Sequence, residues 1–111
     1  MTTRLFTEQE AELLRRVREA VKAIEPDAQI ILYGSRARGD AEPDSDWDLL
    51  VILDGRVDGR RASSVRHAIY AVEREVGEVF ATMVRSRDKW ESDLYRAMPF
   101  HVSVEREGVP V

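Results

Sequence analysis

The chain has 111 residues, enough for one domain with its own core, and 43% hydrophobic against 34% charged residues marks a globular sequence rather than a disordered one. The net charge of −4, from 17 basic and 21 acidic residues, argues against a dedicated nucleic-acid binder, which gains affinity from a basic surface. Without cysteine there are no disulfides or thiolate metal sites, and MTTRLFTEQEAELL lacks a leader's apolar core. No apolar run reaches membrane-spanning length, so a cytoplasmic location is expected.

The first element is a helix. Thr7 and Glu10 have the spacing of a capping box, Phe6 is placed as a hydrophobic staple, and Leu13, Leu14, Val17, Ala20, Val21 and Ile24 form one apolar stripe before Pro26. Residues 30–33 read as a short buried strand broken by Gly34-Ser35, and Arg36-Ala37-Arg38 begins a short helix that Gly39 stops. Pro43-Asp44-Ser45-Asp46 is turn chemistry, 47–53 a second strand, and 55–59 a loop. Residues 60–76 read as an amphipathic helix with Val65, Ala68, Ile69, Val72 and Val76 inward, and 79–84 as a third strand. Ser86 caps a helix expected to run through Tyr95. Pro99 opens a last helical turn with Phe100 and Val104 at i, i+4, against a competing alternating strand over 100–104; Gly108 ends it. This order predicts a single α+β (α/β) domain over 1–111, a small mixed sheet with helices packed on it.

The stretch LYGSRARGDAEPDSDWDLLVILD carries the chemistry. Side chains alternate along a strand, so Asp46 and Asp48 share a face and Trp47 takes the other. Two ionised carboxylates so close repel unless a cation sits between them, and oxygen ligands of this kind suit Mg²⁺ or Mn²⁺. Gly34 admits close backbone approach, and Ser35 offers a hydroxyl and an N–H to an anion at a helix start. Arg38 is favoured for phosphate, while Arg36 is divided between phosphate and an exposed helix face. Phosphate donors facing metal carboxylates are the equipment of phosphoryl or nucleotidyl transfer.

Gly-Ser, ten residues, then Asp-x-Asp resembles the signature of the DNA polymerase β-like nucleotidyltransferase superfamily. Gly34-Ser-Arg-Ala-Arg-Gly39 with Ser45-Asp-Trp-Asp-Leu49 looks like its smallest members, the minimal nucleotidyltransferases, and the tail Pro99-Phe100 with Arg106-Glu107-Gly108-Val109 is similar too. The resemblance implies a polymerase β-like fold, ATP or another NTP as donor, Mg²⁺, Gly34 and Ser35 on the nucleotide phosphates, and Asp46 and Asp48 as catalytic metal ligands. It also implies a helical HEPN-type partner protein, neutralised in toxin–antitoxin pairs, in some cases by AMP addition to a tyrosine hydroxyl.

The superfamily's third carboxylate, on the next strand, aligns with Ala81. Glu78 is the nearest acid, but strand parity sets it opposite position 81 unless a bulge intervenes. Two functions follow. One is a nucleotidyltransferase with an incomplete carboxylate set; the other is a nucleotide-binding, antitoxin-like module that acts by docking its partner. Asp44 reads as a turn residue, His67 and His101 as surface or packing histidines, and Trp47, Trp90, Tyr95 and Phe100 as core. The acceptor, the base preference and the oligomeric state, a homo-oligomer included, stay open.

Overall fold

The computed structural model describes residues 5–111, so the first four residues of the stretch read for a leader lie outside the described part. Its elements are α1 (Glu8–Ile24), β1 (Gln29–Tyr33), α2 (Ser35–Arg38), β2 (Trp47–Leu53), α3 (Gly59–Val76), β3 (Phe80–Ser86), α4 (Arg87–Trp90), α5 (Asp93–Arg96), α6 (Pro99–Glu107) and β4 (Val109–Pro110). The strands form one mixed sheet in the order β3-β2-β1-β4. β1 runs antiparallel to β2 and β4, whereas β2 and β3 are parallel, joined by α3. Helices packed on a mixed sheet are the α+β arrangement expected.

β2 explains the uninterrupted apolar run Leu49-Leu50-Val51-Ile52-Leu53. It pairs on both edges and is covered on both faces, so both side-chain sets are buried. Trp47, Leu49, Val51 and Leu53 join the larger core with Leu13, Val17 and Val21 of α1 and Val65, Ile69 and Val72 of α3. On the other face Leu50 and Ile52 pack with Trp90 and Val104, bordered by Tyr33, Met83, Tyr95 and Phe100. That second cover comes from α4 and α6, and it leaves the Asp48 end of the face less enclosed.

The capping box forms as expected: Glu10 N–H donates to Thr7 Oγ1 at 3.1 Å, and Thr7 N–H to Glu10 Oε1 at 2.9 Å. α3 starts one residue earlier than its stripe indicates, because the Asp58 carboxylate caps it by accepting from Arg61 N–H at 2.8 Å. The helix expected from Ser86 through Tyr95 is two helices. Ser92 caps α5 in the way Ser86 caps α4, accepting from Tyr95 N–H at 3.3 Å, so the backbone restarts instead of continuing. Residues 99–107 are helical, not the competing strand.

β4 follows α6 directly and went unforeseen, since two residues leave no periodic pattern. Gly108 makes it feasible. A Cβ there would lie 2.5 Å from Val104 O and 2.7 Å from Ile31 Cγ2, closer than carbon atoms approach. Gly108→Ala is therefore expected to cost about 1–3 kcal/mol through displaced packing, read as a lower melting temperature; an unchanged one would refute the close approach.

Candidate active site

The site is built where β1 ends. Asp48 lies opposite Tyr33 in the β1–β2 ladder and beside Ala81 in the β2–β3 ladder. Paired residues share a face, so Asp48, Tyr33 and Ala81 project together, away from Trp47. Asp46 stands just ahead of β2 and is exposed, and Asp48 is half-buried. Burial, and after it the charge of Asp46, raises the Asp48 carboxyl above its usual range; the Arg38 guanidinium offsets part of this. The Asp46 charge thus opposes ionisation of Asp48, while Asp46 itself lies ahead of β2, where strand parity does not set the direction of its side chain. Burial, then Asp48, raises the Tyr33 phenol as well, with Arg85 opposing.

The turn after β1 is pressed onto this carboxylate. Gly34 has φ +76°, and a Cβ built on it would collide with Asp48 Oδ2. No side chain is tolerated there on either count: the left-handed conformation and the absent space. The Gly34 carbonyl then accepts from Ala37 and Arg38 N–H at 3.1 and 3.0 Å, which winds α2. Among the described residues the Ser35 hydroxyl and the Ser35 and Arg36 N–H groups form no hydrogen bond, so these donors remain available to an anion.

The two arginines divide their work. Arg36 turns to the acidic loop. Its Nη2 donates to Pro43 O at 3.0 Å and to Ser45 O at 2.9 Å, its Nε donates to Ser45 O at 3.2 Å, and its guanidinium lies 4.7 Å from the centre of the Trp47 ring. These bonds make Arg36 a clamp that fixes the segment carrying Asp46, and they leave its Nη1 without a hydrogen bond among the described residues. Arg38, one turn on, donates instead to Asp40 and Glu107.

Glu78 does not join the pair. Its carboxylate accepts from Trp47 Nε1 at 3.4 Å, which sets it on the opposite face of β2 from Asp48. It lines a cleft of about 540 Å³ with Leu13, Arg16, Arg36 and Trp47. β3 begins only at Phe80, and no bulge brings Glu78 round. The third-ligand role considered for Glu78 is corrected by this placement. Asp44 is exposed in its turn. His101 is a packing residue stacked on Trp90, ring centres 4.2 Å apart.

Glu107, Tyr33 and Arg85 were not singled out from sequence. Glu107 appears only within the quoted tail, and nothing in a local pattern couples it to a residue 69 positions earlier. Arg85 lies on the Asp48 face by strand parity. Burial would raise Tyr95, but the hydrogen bond and charge of Arg85, with Lys89, hold its phenol below the usual range.

Two carboxylates and an open face suit a hard divalent ion. Mg²⁺ binds through one or two carboxylates and takes the rest of its shell from water and substrate phosphates, and the crowded charge on Asp48 is what such an ion would neutralise. Among the described residues no group of three or more acidic or histidine side chains could by itself hold a metal, so a closed protein cage is not what these side chains build.

A family model described as "Nucleotidyltransferase domain" matches residues 14–105. The chain belongs to the nucleotidyltransferase domain family. The match takes in the Gly34-Ser35 turn, both aspartates, α4, α5 and the greater part of α6. Among solved structures, a Sulfolobus solfataricus protein described as a candidate nucleotidyltransferase superposes with a TM-score of 0.54, at 19% identity, over 89% of this chain and 76% of that one. That likeness establishes a nucleotidyltransferase fold. No curated protein matches the chain. No helix among the described residues is long and apolar enough to cross a membrane.

Proposed function

We propose that the chain is an Mg²⁺-dependent (or Mn²⁺-dependent) nucleotidyltransferase that moves AMP from ATP, or the corresponding group of another NTP, to a hydroxyl of a partner protein. The partner is a helical protein of the HEPN type, and the transfer serves an antitoxin role in the cytoplasm. The observation that carries the reading is the Gly34-Ser35 turn packed on Asp48, with Asp46 beside it, so that unpaired anion donors adjoin two repelling carboxylates. Membership of the nucleotidyltransferase family supports the reaction class, and the motif resemblance supports the partner.

In this reaction the acceptor hydroxyl oxygen attacks the α-phosphorus, the bond from that phosphorus to the bridging oxygen breaks, and pyrophosphate leaves. Ser35 and the adjoining N–H groups hold phosphate oxygens, and Arg38 offsets their charge. Asp46 and Asp48 would hold the ion, which when bound supplies charge neutralisation at the phosphates. The hydroxyl proton must pass to water or to a base that the acceptor brings, since Ala81 occupies the position beside Asp48 and Glu78 is bonded to Trp47.

Those last two placements favour a second reading: a nucleotide-binding module that neutralises its partner by docking. The test is to incubate the protein with labelled ATP, Mg²⁺ and the product of the neighbouring reading frame. Label on a hydroxyl of that product supports the enzyme; neutralisation without label supports the module. Ala81→Asp restores a carboxylate on the Asp48 face. It is expected to raise the transfer rate by about 10²-fold, the scale of one general base or metal ligand. A rate no higher than that of the unsubstituted protein would show that position 81 does not limit the chemistry.

A further inference from the structure

Arg38 is held from two sides. Its Nε donates to Asp40 Oδ2 at 3.1 Å, and its Nη1 donates to Glu107 Oε2 at 3.0 Å. The remaining nitrogen, Nη2, forms no hydrogen bond among the described residues. Arg38 ends the one-turn helix that starts from Gly34, and Gly34 itself is packed on Asp48 Oδ2, so the guanidinium is carried by the same turn that adjoins the carboxylate. A guanidinium fixed through two nitrogens by two carboxylates has one edge left for an anion and few orientations in which to present it.

The tail of the fold is shaped to deliver the second of those carboxylates. Glu107 is the last residue of α6. Gly108 follows, pressed against Ile31 and the Val104 carbonyl, and its N–H donates to that carbonyl at 2.7 Å. Val109 and Pro110 then pair with Leu32 and Ile31, and Val111 N–H donates to Ile30 O at 2.9 Å. This pinning fixes the end of α6 beside the end of β1, where the Gly34 turn begins. The Glu107 side chain is 27% exposed and that of Arg38 is 43% exposed, so the pair is neither freely solvated nor closed off from a ligand.

We propose that Glu107 is a positioning residue that acts through Arg38: it holds the guanidinium so that Nη2 meets the phosphates of the bound nucleotide. The proposal rests on the nucleotidyl-transfer reading above and deepens it, since it assigns the C-terminal tail to the selection of a triphosphate. A tie that only joined α6 to the turn would influence stability and treat all nucleotides alike. A positioning role discriminates between a triphosphate and a monophosphate.

The experiment is a titration of the full chain with ATP and with AMP in the presence of Mg²⁺, with melting temperatures measured alongside. Glu107→Ala is expected to weaken ATP about tenfold, the scale of a lost charge-assisted contact, while AMP affinity changes less than about twofold. Glu107→Gln retains an oxygen that accepts from Nη1 and should recover most of the ATP affinity. Glu107→Ala should cost nothing further in an Arg38→Ala background. Asp40→Asn lies outside the tail packing and is expected to weaken ATP by a smaller factor, about threefold. Equal loss of ATP and AMP affinity, or unchanged ATP affinity in both the Glu107 and Asp40 variants, overturns the proposal. Failure of the unsubstituted protein to bind any nucleotide overturns the nucleotidyl-transfer reading itself, and the two failures are thereby distinguished.

Discussion

Replacing Asp46 and Asp48 together with asparagine is expected to lower label transfer from ATP by at least about 10³-fold while raising the stability of the metal-free protein. The loss follows from removing both carboxylates that would neutralise the phosphates. The gain follows from the Asp48 environment. Burial and the Asp46 charge raise its folded-state pKa above the unfolded value, so the folded state binds the proton more readily. The sign of the pH dependence is therefore opposite to that of a salt-bridged aspartate. The contribution of Asp48 to stability is most favourable below the unfolded pKa, declines as pH rises through the interval up to the raised folded pKa, and remains unfavourable at neutral pH. Asparagine carries no charge and removes that cost. Mg²⁺ should likewise raise the melting temperature of the unsubstituted protein and leave that of the double variant unchanged. Thermal melts at pH 4 and pH 7, with and without Mg²⁺, read both effects. A double variant that melts lower than the unsubstituted protein at pH 7 without metal would show that the two carboxylates do not repel. Partner neutralisation that survives the substitutions would leave docking, not transfer, as the function.

Gly34→Ala is expected to be the most damaging single methyl in the site. Alanine pays about 1–2 kcal/mol for the left-handed conformation at φ +76°, and its Cβ has no place beside Asp48 Oδ2. The total is expected near 3 kcal/mol, with the turn or Asp48 displaced to relieve the contact. Both relaxations move the phosphate donors relative to the carboxylates, so Mg²⁺-dependent stabilisation should be lost even at temperatures where the variant is folded. Chemical denaturation gives the stability change and metal titration gives the site. Retention of full Mg²⁺ response would mean that the turn and Asp48 are not mechanically joined. The contrast with Gly108→Ala is informative: there the backbone angle is ordinary, φ −62°, so only packing is at stake.

The larger features of the fold were legible because each rests on a local rule. The α1 stripe, its Thr7–Glu10 box and the buried run of β2 announce themselves within a few residues. The strand period places Asp48 opposite Trp47 in the same way, whereas Asp46 falls in the loop before β2, beyond the reach of that rule. What escaped the sequence depends on partners far along the chain. Arg36 looks like any arginine of a phosphate turn until the loop from Pro43 to Ser45 folds back under it. Glu107 has no reason to be near Arg38 until Gly108 lets β4 reach β1. The break between α4 and α5 was missed for a different reason. Ser92 competes for the backbone as Ser86 does, and helix propensity across 86–95 conceals the second cap. Glu78 lies ahead of β3, beyond the reach of strand parity, and its bond to Trp47 Nε1 is what places it away from Asp48.

The two aspartates differ in how far they can move. Asp48 belongs to the central strand, hydrogen-bonded on both sides and flanked by buried residues, so its backbone can shift only when the sheet itself opens. Asp46 sits in the loop ahead of that strand, steadied by the arginine clamp on Ser45. In hydrogen exchange the amides of β2 should therefore be the slowest of the molecule, and those of Ala41, Asp44 and Asp46, which form no hydrogen bond among the described residues, among the fastest. An ion at this site would meet one ligand that does not yield and one that adapts. Such a pair would let the loop take up the difference in radius between Mg²⁺ and Mn²⁺, and comparable stabilisation by the two ions in thermal melts is the expected result.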